Sequence, residues 1–304
     1  MLENSVKLDP GFADGWARLA EAYILLAGTQ EPHPRWFRRA EQSFRKALAL
    51  DSRNSEAQCA RGQVLWTPVK KFQNRAALRA LATALELNPG CHPARVWQCL
   101  IFWHVGLLEE SREGLMLALA SQPDDALTLT NIAQTALYQG DLDEAEEFQK
   151  RALNMDRASL WANVFFPTMY IYRGELDKAV EKIQSAREVL SDDPWLTGCE
   201  ALVWAKRGEF RRAGQFLRRA LHAGKTFLHT HHLWHTAAAV YALIGKPAQA
   251  VTWLQRAARM GLPNYPVFRD DIHFKGLQSH PQFVHLLAGL KKEWDDYRRE
   301  FGSK

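Results

Sequence analysis

Four histidines crowd into seven residues at His229–His235, in the stretch HTHHLWH. Imidazole ligates borderline transition metals and titrates near neutral pH, so such a cluster could hold a metal ion or move protons. His231 and His235 stand one helical turn apart, the spacing by which a helix offers a ligand pair to zinc. A third ligand would have to come from His229, His222 or an acidic residue on a neighbouring element. Spacing alone does not decide, but no H-E-x-x-H motif is present and no cysteine lies nearby, so the expectation is a helix face whose histidines line a groove or meet solvent. A metal-binding protein or metal-dependent enzyme using the His229–His235 cluster is the alternative. Asp270, Asp271 and His273 form a second carboxylate–histidine set, which a helix terminus in a capping segment equally explains. There is no Gly-rich phosphate loop, no G-x-S-x-G elbow and no kinase signature. The expectation is a non-catalytic protein with no cofactor and no metal.

The composition sets the frame for these groups. Of 304 residues, 47% are apolar and 24% charged, a globular balance without a disorder signature. The formal net charge is +5. The most basic run, RGEFRRAGQFLRRAL at 207–221, spaces Arg207, Arg211, Arg212, Arg218 and Arg219 among apolar positions at helical intervals. That pattern reads as a solvated helix face, with a nucleic-acid surface as the alternative. Cys59, Cys91, Cys99 and Cys199 form no C-x-x-C pair, which points to reduced, buried thiols and a cytoplasmic setting. The start, MLENSVKLDP, does not resemble a secretion signal, and the longest apolar run, VWQCLIFWHVGLL at 96–108, is too short to cross a bilayer. No membrane association is expected.

The elements that carry these residues repeat. Segments opening on Gly106, Gly140, Gly174 and Gly208 follow one another at intervals of 34 residues. Ser111, Ala145, Ala179 and Ala213 keep the same step, as do Ala118, Ala152, Ala186 and Ala220. A further copy opens on Gly245. Glycine closes one helix in a left-handed conformation, an acidic residue just after it suits the start of the next, and the small residues seven apart share one face. Two antiparallel helices per period follow, neither able to bury its apolar face without neighbours.

At this point the chain resembles the tetratricopeptide repeat family. Trp16, Ala20, Tyr23, Ala40, Phe44 and Ala47 fit a first repeat with an insertion, TQEPHPRWF, between its helices. Gly62, Leu65, Ala77, Leu81, Ala84 and Pro89 fit a second with a short insertion, and Cys99, Phe102, Leu115, Ala118 and Pro123 a third. The seventh matches through Trp234, Ala238, Tyr241, Ala250, Leu254 and Ala257. The fifth departs from the pattern at Pro167, where a kink is expected. The resemblance implies an all-α, right-handed superhelical solenoid, with residues 1–12 the end of a preceding repeat, 13–262 seven repeats and 263–304 a capping segment. Residues 2–10 read as the last part of a second helix, as if the sequence began inside a repeat. An edge open there could support self-association. The closing segment resembles the one that follows such repeats in bacterial signalling proteins, notably eukaryote-like Ser/Thr kinases and adenylate-cyclase-like proteins. Its apolar stripe is Phe283, Leu286, Leu287, Leu290 and Trp294.

In this family the first helices of successive repeats line a concave face that binds peptides or partner proteins. Carried onto this sequence, the inward positions are Trp66, Trp103, His104, Thr130, Gln134, Tyr138, Trp161, Thr168, Tyr172, Trp195, His232 and His235. Together they predict a partner-binding groove rich in aromatics and poor in charge, with Trp103, Trp161 and Trp195 as its anchors. The Lys and Asn pair that clamps a partner's terminal carboxylate in some members is missing, which argues against a chaperone-tail receptor.

Overall fold

The computed structural model describes residues 1–27, 33–224 and 229–302, and divides into two compact units, Met1–Ile101 and Phe102–Lys304. Part of the TQEPHPRWF insertion lies outside the described residues. Both units are all-α, with no strand among the described residues, and both follow the repeat-solenoid plan expected from the sequence.

The first unit holds α1 (Leu2–Leu8), α2 (Ala13–Leu25), α3 (Pro34–Leu50), α4 (Ser55–Leu65), α5 (Asn74–Leu87) and most of α6 (His92–His104). Helices α2 and α3 pair, α4 and α5 pair, and α2 stacks on α4. Leu19, Tyr23, Phe44 and Val64 fill the space between them, with Ala20, Ala40 and Ala47 allowing close approach. The connection from α4 to α5 turns at Pro68–Lys70 and then through Lys71 and Phe72, both at positive φ. Trp66 is buried there, edge-on to Phe72 and Trp97, and its indole N–H donates to Asn74 Oδ1 at 2.9 Å. All four cysteines are buried and unbridged. A hydrogen bond between Cys59 and Cys91 lowers the Cys91 thiol to about 6 and raises that of Cys59.

The second unit continues with α7 (Leu108–Ser121), α8 (Ala126–Gln139), α9 (Leu142–Met155), α10 (Leu160–Arg173), α11 (Leu176–Arg187), α12 (Pro194–Lys206), α13 (Phe210–Ala223), α14 (Thr230–Leu243) and α15 (Pro247–Arg259). Each even-numbered helix from α8 to α14 pairs with the helix that follows it, and α8, α10, α12 and α14 stack in succession. Asp125, Asp141, Ser159 and Asp193 cap helix starts by accepting backbone N–H bonds from three residues on. Gly140 ends α8 at φ 89°, a conformation L side chains resist, and the same turn recurs one and two periods later. The alanines of the repeat, Ala145, Ala152, Ala179, Ala186, Ala213 and Ala220, are all buried. Helix α10 runs continuously from Leu160 to Arg173 with Pro167, where a kink was expected, in its interior. Arg112 forks onto Glu144 at 2.5 and 2.6 Å and Arg173 reaches Glu146 and Asp143, ties between successive periods along the outside.

The chain closes with α16 (Tyr265–Asp270), a 3₁₀ segment at Ile272–Leu277 and α17 (Pro281–Phe301). This segment lies on the inward faces of the first helices. Asn264 Nδ2 donates to the Trp103 carbonyl at 2.5 Å, Trp294 Nε1 donates to the Gly106 carbonyl at 2.9 Å, and Phe268 and Phe274 pack on His235. At its centre is Asp271, a fully enclosed carboxylate. Tyr172 donates to its Oδ2 at 2.5 Å and the His235 ring nitrogen stands 3.2 Å from the same oxygen. Its Oδ1 receives the backbone N–H and the ring N–H of His273, each at 2.8 Å. Burial alone would raise its pKa, but the closeness of His235 and the hydrogen bonds from His273 overcome that and hold it well below the ordinary carboxylate value. Lys206, which donates to the Ile171 carbonyl at 2.8 Å, adds a weaker attraction.

Two outcomes check this packing. Ala152→Trp should destabilise by roughly 1–3 kcal/mol in urea unfolding through overpacking, whereas Lys150→Trp on the exposed face should leave the midpoint nearly unchanged. Asp271→Asn removes the charge that the two histidines face and should cost about 3 kcal/mol or more at pH 7. Because the folded-state pKa of Asp271 is depressed, its contribution is complete above the ordinary value of 3.8 and disappears as pH falls through and below it. Wild-type stability should therefore fall more steeply below about pH 4 than that of Asp271→Asn. Parallel acid profiles would remove the carboxylate from this role.

Candidate functional site

Most of the inward residues read from the sequence come together in the second unit, but in its interior. Trp103 meets Tyr138 and His232 with ring centroids 5.3 and 5.8 Å apart. Tyr138 packs edge-on to Tyr172 and His235, and Trp161 edge-on to Trp195 and His232. Trp103 and Trp195 retain 3% and 4% of their accessible surface, so neither can reach a partner as an anchor. Thr130 and Thr168 turn their hydroxyls back to backbone carbonyls four residues earlier, and Gln134 is buried in α8. Trp66 belongs to the first unit and is buried within it. The sequence predicts an open groove; in the second unit the same face is a core. Its aromatics gain more by burying one another and the segment 264–277 than by facing water. Of the three tryptophan anchors only Trp161 stays partly exposed, stacked on Phe165 at the edge of the cluster.

The histidines sort differently from their spacing. His235 turns away to Asp271, Phe268 and Phe274. His231 and His232, in the first turn of α14, and His229, its N-cap, instead meet His104 at the end of α6. One ring nitrogen from each of the four lies within 4.8 Å of the other three. The closest contact runs between His104 Nε2 and His232 Nε2, at 3.1 Å. His231 Nδ1 lies 2.8 Å from the Met260 carbonyl, a partner that only an N–H can use, so the proton sits on Nδ1 and Nε2 carries the lone pair. Burial pushes His229 down to about 4 and His231 and His232 well below the ordinary imidazole value, the latter two also through neighbouring histidines. The three are neutral at pH 7. His104 and His231 are buried; His229 and His232 are partly open to solvent. His104 stood among the inward positions in the sequence, but nothing local tied it to a stretch more than a hundred residues on.

Part of the basic run 207–221 is engaged with its own surroundings. Arg207, the C-cap of α12, pairs with Asp177, and on α13 Arg219 pairs with Asp192 at 2.8 Å and the Arg212 guanidinium lies 3.5 Å over the Trp204 ring. Arg211 and Arg218 project from the exposed side. No helix among the described residues is long and apolar enough to cross a membrane.

Residues 126–159, which comprise α8, α9 and the turns around them, match the tetratricopeptide repeat family. Among solved structures, the chain is similar to a tetratricopeptide repeat protein from Parabacteroides merdae ATCC 43184. The TM-score is 0.56 at 14% identity, covering 91% of this chain and 98% of that one. It is also similar to a chain of the APC/C hetero-tetramer Cut9-Hcn1, with a TM-score of 0.55 at 14% identity over 96% of this chain and 56% of that one. The chain thus spans little more than half the length of the second. No curated protein sequence matches it. At these identities the likeness establishes the fold, an all-α repeat array of tetratricopeptide type.

Proposed function

We propose that the chain is a non-catalytic protein-interaction scaffold that binds a peptide or a partner protein. The observation that carries this reading is the arrangement of pre-packed helix hairpins whose inward aromatic face leaves one edge accessible at Trp161. A rigid stack loses little conformational freedom on binding, so a partner side chain seated beside Trp161 and Phe165 meets a site already formed. The likeness in fold to a tetratricopeptide repeat protein and to a component of a hetero-tetramer supports the same reading. The resemblance of the closing segment 263–304 suggests a bacterial, cytoplasmic signalling protein as its setting. The deeper inward residues, Trp103, Thr130, Gln134, Tyr138, Tyr172, Trp195 and His235, support the site from behind in this reading, and Thr168 and His232 flank it.

A photo-crosslinking amino acid placed at Trp161 in the source cell should capture a defined partner, whereas one at Arg211 on α13 should not. With that partner purified, Trp161→Ala should weaken binding at least about tenfold with the helical content intact, because truncating an aromatic hot spot typically costs 2 kcal/mol or more. Arg211→Ala combined with Arg212→Ala should change affinity little at physiological salt. The reverse ranking, or a partner lost only through the arginines with a steep salt dependence, would move the working surface to α13 and favour a nucleic-acid or acidic ligand.

A further inference from the structure

Four imidazoles from two helices far apart in the sequence, α6 and α14, bring one ring nitrogen each within 4.8 Å of the others. Buried rings meet face to edge and still need partners for their polar atoms; the His104 and His232 Nε2 atoms, at hydrogen-bond distance, meet that need for one pair, and the convergence of four nitrogens goes beyond it. Here His104, from the last residue of α6, enters between three histidines at the start of α14, and the four candidate donor atoms fall within 4.8 Å of one another. A tetrahedral site with zinc–nitrogen bonds of about 2.0–2.1 Å sets its donor atoms roughly 3.4 Å apart. The His104 and His232 Nε2 atoms, 3.1 Å apart, already stand near that spacing, and the widest pairs need to close by up to about 1.4 Å, which side-chain χ rotations can supply.

We propose that His104, His229, His231 and His232 form a binding site for one divalent first-row transition-metal ion, zinc foremost.

The surroundings suit the role. The Met260 carbonyl fixes the His231 tautomer that leaves Nε2 to ligate, the outer-shell arrangement common to metal-bound histidines. Trp161, Phe165 and Trp103 wall in the His232 ring and limit its rotation. Partial exposure of His229 and His232 gives the ion a way in. The donor set also selects the cation. Four imidazole nitrogens favour zinc, cobalt, nickel or copper and disfavour magnesium or calcium, which require oxygen ligands. No carboxylate belongs to the set, because Asp271 is committed to His235, one turn further along α14, and to His273. The complex therefore keeps the charge of the ion, and a closed set of four nitrogens makes it a structural cross-link between the end of α6 and the start of α14.

The full-length chain, freed of any affinity tag and stripped with chelator, is titrated with zinc chloride by calorimetry and with cobalt chloride by visible absorption. The expected result is one equivalent of zinc bound with micromolar or tighter affinity, a rise in Tm, and intense cobalt d–d bands of a tetrahedral nitrogen set. His104→Asn with His232→Asn should weaken zinc binding at least about a hundredfold and abolish the cobalt spectrum. His280→Asn with His285→Asn, at the start of α17 and outside the four-histidine set, should change neither. X-ray absorption of the zinc-loaded wild type should count four imidazole nitrogens at about 2.0–2.1 Å, and it decides the matter if the double variant fails to fold. Absence of stoichiometric uptake, an oxygen-rich first shell, or binding undiminished in a folded His104→Asn, His232→Asn variant would overturn the site. None of these outcomes depends on a protein partner, so the scaffold reading stands or falls separately.

Discussion

A charge sealed from water must be met by donors or it will not stay charged, and the second unit is organised around one such charge. Asp271 is reached by Tyr172 from α10, by His235 from α14 and by His273 from its own turn. The first two of these contacts hold the C-terminal segment on the inward faces of helices that come from separate repeats. Once it is held there, Phe268 and Phe274 can join the aromatic core, and Asn264 and Trp294 can reach the carbonyls of Trp103 and Gly106. The polar clasp supplies direction and the apolar burial supplies most of the stabilisation. The fate of the inward face follows from this: it closes on its own chain, except at the edge marked by Trp161.

The helix pairs were legible in the sequence because their determinants are local. A glycine every 34 residues and alanines at fixed offsets from it specify where a hairpin turns and where helices touch, and Gly140, Ala145 and Ala152 occupy those roles in the structure. The inward face was legible as a set of positions but not as a surface. Trp103, Trp161 and Trp195 look alike in sequence, and only the distant segment 264–277 and the neighbouring helices separate two core residues from one accessible ring. The histidines show the same limit at finer scale. Helical periodicity pairs His231 with His235, yet His229 lies at the cap, outside the helical wheel, and His104 arrives from another repeat altogether. Asp271 and His273 were legible as a helix-start pair, which they are, since Asp271 accepts the His273 backbone N–H. Their second role, as the clasp on α10 and α14, depends on residues far away in sequence.

The outer helices carry a different kind of information. Arg112, Arg173 and Arg207 each reach an acidic residue of an adjacent repeat, about one period away along the chain. Such exposed pairs contribute little individually, about 1 kcal/mol or less, but they fix which repeat sits beside which. The basic appearance of 207–221 in sequence owes much to arginines whose charges are spent in this way or laid over Trp204.

Gly106 shows what closure means for the history of such an array. Its φ of 85° matches the turn glycines of the later repeats, but a Cβ there would lie 2.6 Å from Pro266 Cδ and 3.0 Å from the Trp294 ring, whereas Gly140, Gly174 and Gly208 face open space. An open solenoid can gain or lose whole repeats, because each copy needs only its neighbours. Here a duplicated 34-residue unit inserted between 106 and 264 would carry the C-terminal segment away from the turn it is fitted against. The copy number of the second unit is thereby locked, like the number of staves in a hooped barrel.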